Sequence, residues 1–120
     1  MAGGTRRGKK PWEYAMAGDW PYAVMDGYRP AQVGQAIARA LAEAMERKGL
    51  SANALAAASG VNRQVISNVL AGSTWPDLLT VASLEDTLGE MLWPRHVDWP
   101  HDENGVRQQP LPPQLNRDAE

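Results

Sequence analysis

The chain has 120 residues, and its 12 Lys+Arg against 14 Asp+Glu leave a formal charge of −2, so it fits one domain with tails and shows no overall basicity that would announce a polyanionic partner. The absence of cysteine excludes disulfide scaffolds, thiolate-held zinc, iron–sulfur clusters and thiol nucleophiles, and it suits a reducing cytoplasm. No run approaches the ~20 apolar residues of a membrane span and no apolar stretch follows Arg6-Arg7, so the expectation is a soluble, internal protein.

Residues 1–10 are Gly-rich and basic, carrying Arg6, Arg7, Lys9 and Lys10, and read as a disordered arm. Residues 11–30 hold Trp12, Tyr14, Trp20, Tyr22 and Tyr28. In that segment Pro11 opens a helical turn through Ala17, and Trp20-Pro21 is extended because a residue before proline is pushed out of the α region. The segment has three readings: a flap packed on a helical core, a partner or dimer surface, and a pocket lid. Packing is favoured because a small bundle gains from extra buried area.

From Pro30 the pattern turns helical, with Val33, Ile37, Leu41 and Met45 every fourth residue until Gly49. Ser51 caps a second, short helix holding Leu55 and Ala56, closed by Gly60. Asn62 caps a third with Ile66, Val69 and Leu70 on one side, stopped by Gly72. Asp77 caps a fourth whose inner stripe is Leu78, Val81, Leu84 and Leu88, ended by Gly89. A last short turn, Glu90 to Trp93, is cut by Pro94. Residues 94–120, with Pro94, Pro100, Pro110, Pro112 and Pro113, read as an extended or disordered tail. No strand signal competes. The expected fold is all-α, a compact four- to five-helix domain over residues 31–93. Its core is made of Leu, Val, Ile, Met and Ala, since Phe is absent.

Charge is uneven along the chain: residues 1–76 hold nine basic and five acidic side chains, and residues 77–120 hold three and nine. Residues 47–76 carry Arg47, Lys48 and Arg63 and no acidic residue. A polyanion would choose that block and the basic arm.

Two short helices joined through Ser59-Gly60-Val61 have the spacing of a helix-turn-helix, whose tight turn lets the second helix enter a DNA major groove. Residues 50–72, LSANALAAASGVNRQVISNVLAG, resemble the Xre/Cro, lambda-repressor-like family. The likeness is carried by Leu50-Ser51 at the opening, Leu55-Ala56 as the buried pair, Gly60-Val61 at the turn, and Ile66, Ser67 and Val69 on the third helix. Gly72, Pro76, Leu78, Val81, Leu84 and Leu88-Gly89 continue it, so it covers about residues 31–93. The chain departs from the family pattern at Ala52, where a glutamine is frequent, at Glu85, where a small residue is usual, and in a shortened fifth helix. The resemblance implies a lambda-repressor-like fold and a bacterial, sequence-specific regulator of transcription, a repressor by type, with double-stranded DNA as partner.

On that reading the third helix, 63–71, presents Arg63, Gln64, Ser67 and Asn68 to base edges, arginine forking onto guanine and the amides onto adenine. Val65 meets a thymine methyl or is an ordinary surface valine. Phosphates fall to Ser51 and Asn53 at the start of the second helix, to Asn62, to Ser73 and Thr74 in the following loop, and to Arg6, Arg7, Lys9 and Lys10 of the arm. The arm equally reads as a solvated tail, and Trp75 as core packing. A homodimer is possible, with Leu79 and the N-terminal aromatics as candidate surfaces, and no membrane partner is expected. The alternative function is a protein-interaction adaptor or antitoxin-like module acting through residues 11–30.

His96, Asp98, His101 and Asp102 could in principle hold a metal, but Pro100 breaks any helical spacing and no further ligand set lies upstream, so no metal is expected. The carboxylate pairs Glu43/Glu46 and Glu85/Asp86 read as solvated faces. No nucleophile–histidine pair and no phosphate-cradling loop is present, so neither catalysis nor a cofactor is expected.

Overall fold

The computed structural model describes residues 9–95; the expectations for Arg6, Arg7, the histidines and the rest of the tail lie outside this range. Within it four helices are formed: α1 (Arg29–Lys48), α2 (Ala52–Ser59), α3 (Arg63–Ala71) and α4 (Leu78–Leu88). Local chemistry defines their limits. Ser51 Oγ accepts the Ala54 N–H, Asn62 Oδ1 the Gln64 N–H and Asp77 Oδ1 the Thr80 N–H, each satisfying one of the donors a helix start leaves open. Each helix ends in a left-handed glycine, Gly49, Gly60, Gly72 and Gly89 in turn.

Ile37, Leu41, Leu55, Ile66 and Leu84 are fully buried at the centre of the bundle, with Ala38, Ala44, Val69, Val81, Leu88 and Leu92 around them. Burying each large aliphatic side chain contributes about 1.5–3 kcal/mol, which is the main force holding the four helices together. Leu78 is not part of this core. It begins α4 and is 76% exposed, although it lies one turn before the buried Val81. Leu79, expected outside, is 78% exposed.

The N-terminal segment departs from the helical expectation. A 3-10 turn spans Pro11–Tyr14 and gives way at once to a two-stranded antiparallel hairpin, β1 (Ala15–Ala17) with β2 (Val24–Met25). Trp20-Pro21 is not extended either. It sits in the tight turn Asp19–Tyr22, closed by the Tyr22 N–H on the Asp19 carbonyl, with a cis peptide before the proline. The hairpin is fastened to α1 by one buried amide: Gln35 Oε1 accepts the Ala23 N–H at 2.9 Å, and Gln35 Nε2 donates to the Ala23 carbonyl at 3.0 Å. An amide side chain thus completes strand-like pairing from a helix, leaving neither of its polar atoms unsatisfied.

Tyr14 is buried and stacks on Tyr28 at 4.5 Å between ring centroids, and Trp75 meets both rings edge-on. Trp20 packs on the core and donates its Nε1 proton to the Leu70 carbonyl at 3.1 Å. The Trp12 N–H reaches the Gly72 carbonyl at 3.1 Å. The last turn of α3 and its cap are therefore covered by residues fifty and sixty positions earlier in the chain.

The chain after α4 does not form the expected short turn of helix. Residues 90–93 run over the bundle, and the Glu85 carboxylate accepts the N–H groups of Leu92 and Trp93 at 2.8 and 3.0 Å. Glu85 is thus a fastening for the following chain rather than part of a solvated face. Glu43 likewise accepts from the Tyr22 hydroxyl.

The Asp77 cap carries a pH dependence. The Thr80 N–H holds its carboxyl below the ordinary 3.8, so the carboxylate stabilises the fold above the unfolded-state value, and that contribution disappears as pH falls through the lowered folded value. Asp77→Asn keeps a capping oxygen without the charge. Thermal melts from pH 2 to 7 are expected to show wild type ahead of Asp77→Asn near neutrality and the gap closing below about pH 4; a gap constant with pH would refute this.

Candidate nucleic-acid interface

The α2–α3 pair is joined by Gly60, Val61 and Asn62 only. Gly60 takes φ +79°, a conformation an L-residue reaches only at a cost. This redirects the chain within three residues. Leu55 on α2 with Ile66 and Val69 on α3 are drawn into the common core. Since α3 is amphipathic, seating that stripe leaves the opposite flank outside.

On that flank Arg63 and Gln64 are exposed, and Ser67 and Asn68 are half-buried. Val65, expected at an exposed position, is also half-buried. Gln64 Nε2 donates to Asn68 Oδ1 at 3.1 Å, one turn further along. Arg63 makes no ion pair among the described residues. It is also the only charged residue from Leu50 to Pro76, so the surface is polar rather than strongly basic.

The neighbouring basic residues differ from the sequence expectation. Arg47 Nη1 and Nη2 reach the two Glu90 carboxylate oxygens at 2.7 and 2.9 Å, and Lys48 Nζ lies 3.6 Å from Glu90. The hydrogen bond from Arg47 is the main cause holding the Glu90 carboxyl below its usual range. The block that carries no acid along the chain is thus met in space by an acid from beyond α4, and two of its three cations are paired.

The expected phosphate-binding residues fall into three places. Ser51 caps α2 with Asn53 exposed in its first turn, and Asn62 caps α3. Ser73 and Thr74 are half-buried in the α3–α4 loop, where the Ser73 N–H and hydroxyl both donate to the Asn68 carbonyl. Lys9 is brought to that same loop: its carbonyl accepts the Trp75 Nε1 proton at 3.1 Å, and its ammonium lies 4.1 Å from the Tyr14 ring centroid. Lys10 is exposed, and its backbone N–H donates to Glu13. Trp75 closes the aromatic cluster and is 36% exposed. An apolar groove of about 340 Å³ beside it is lined by Val33, Trp75, Pro76 and Trp93. Arg29 and Pro30, at the end of the aromatic segment, also form part of its wall.

Sequence reasoning missed Gln35, Glu85 and Glu90. Their partners lie seven to 43 residues away, beyond one helical turn, and no local pattern marks them.

Two short helices set across a three-residue turn, the second buried along one stripe and polar along the other, define a helix-turn-helix protein. Residues 41–91 match the helix-turn-helix family model, a match of the Xre/Cro-like kind that covers this part of the chain. Members of that family are DNA-binding regulators of transcription and not enzymes. Comparison with curated proteins finds no match. Among the described residues no helix is long and apolar enough to cross a membrane.

Proposed function

We propose that the protein is a sequence-specific transcriptional regulator that reads the major groove of double-stranded DNA with α3, its functional unit being residues 31–93. The observation that carries this reading is the division of α3 into a seated stripe, Ile66 and Val69, and an outer flank bearing Arg63 and Gln64. In this arrangement Arg63, Gln64, Ser67 and Asn68 meet base edges, and Val65 lies against a thymine methyl. Ser51, Asn53, Asn62, Ser73 and Thr74 hold phosphates, aided by Lys9 and Lys10 and by Arg6 and Arg7 of the preceding arm. The paired Arg47 and Lys48 have no part in it.

The test is selection from a random duplex pool followed by titration of the enriched site. Arg63→Ala is expected to leave helicity unchanged and to remove roughly 1–3 kcal/mol of discrimination at one base pair. Affinity is expected to fall as salt rises, with the slope shallower by about one for each phosphate-binding lysine removed. Unaltered site preference in Arg63→Ala would refute the reading.

One observation supports the adaptor alternative. Met16, Tyr22 and Val24 on the hairpin are 60–70% exposed, an apolar edge that the packing of Tyr14 and Trp20 does not use. DNA affinity that stays flat across salt would favour that second reading.

A further inference from the structure

The outer flank of α3 carries a side-chain hydrogen bond, from Gln64 Nε2 to Asn68 Oδ1 at 3.1 Å. Residues four apart are neighbours on a helix surface, so the two amides form a joined pair rather than two separate groups. Each amide has one acceptor oxygen and one nitrogen with two protons. Joining them leaves the Gln64 oxygen wholly available as acceptor and the Asn68 nitrogen wholly available as donor. Turning both amides over reverses the owners and leaves the same pattern, one acceptor beside one donor.

The four bases answer that pattern differently in the major groove. Guanine offers two acceptors, cytosine one donor, and thymine one acceptor with a methyl group. Adenine alone offers a donor, N6–H, next to an acceptor, N7. We infer that Gln64 and Asn68 act together as one two-armed reader of a single adenine, so that the pair selects one A·T base pair. Two unlinked amides would each fork onto an adenine of their own and cover two base pairs. This inference rests on the major-groove reading above and adds to it the identity of one base and the coupling of two residues.

The experiment is selection from a random duplex pool with the full chain and four variants, helicity being checked by circular dichroism. Wild type is expected to enrich adenine at one position by roughly tenfold to a hundredfold. Gln64→Ala and Asn68→Ala are each expected to lose that preference at the same position. The double variant loses no more than either, since the pair functions as a unit. Asn68→Asp replaces the donor arm by a second acceptor and is expected to move the preference at that position to cytosine. Single variants that erase preferences at different positions, or guanine at the shared position, would overturn the inference and leave the regulator reading intact. No enriched sequence with wild type would overturn both.

Discussion

Replacing Gly72 with alanine is expected to be the most damaging single-methyl change in the domain. Gly72 ends α3 with φ +74°, and a Cβ there would lie 2.6 Å from Trp20 Cε2, 2.8 Å from Trp20 Cδ2 and 3.0 Å from Trp12 Cβ. Two costs add. The left-handed conformation costs an L-residue about 1–2 kcal/mol. Displacing a packed indole costs about 1–3 kcal/mol more. Their sum, roughly 2–5 kcal/mol, lowers the melting temperature by on the order of 10–30 °C in a domain of this size. Gly60 supplies the internal control: its φ is +79° and nothing lies within 4 Å of an added Cβ. Gly60→Ala therefore bears only the backbone cost. Thermal or urea melts of both variants test this, and equal losses would show that the indole does not press on Gly72.

The second large effect is expected from Trp20→Ala. The indole fills the space over Gly72, packs on the core and satisfies the Leu70 carbonyl. Truncation removes that apolar contact and leaves a carbonyl of the last turn of α3 without its partner. A loss of about 3 kcal/mol is expected, at the low end for tryptophan because the ring is only partly buried. The two substitutions are coupled through contact, so they will not add. Gly72→Ala made in the Trp20→Ala background is expected to cost less than in wild type, the backbone part of about 1–2 kcal/mol together with the remaining close approach to Trp12 Cβ. A double-variant cycle that sums to the two single losses would separate Trp20 from Gly72.

What could be read from the sequence was local in origin. Ser51, Asn62 and Asp77 cap through atoms two or three residues away, and the glycines at 49, 60, 72 and 89 end helices by their own backbone freedom. The periodic spacing of Val81, Leu84 and Leu88 gives the phase of α4, but phase alone does not say which turns of a helix are covered, and Leu78, in phase with that stripe, is exposed. The hairpin escaped because its strands have three and two residues, too few for alternation to be visible, and because Gln35, twelve positions away, holds it in place. Charge counting failed for the same reason: Arg47 and Glu90 are 43 residues apart. Of the candidate interface, the exposure of Arg63 and Gln64 follows from the helical period, whereas the Gln64–Asn68 bond depends on side-chain conformations that spacing permits without dictating.

The covering of α3 at its far end bears on how it would meet a ligand. Its first turn is held by Asn62 and its last by Trp20 and the Trp12 N–H, so the tilt and rotation of the helix are settled in the unbound molecule. Docking then has little backbone to immobilise, and the ordering entropy is confined to a few surface rotamers. Such a helix approaches as a rigid body, and calorimetry would register only the small heat-capacity change of the contact itself, without the larger one that accompanies folding on arrival.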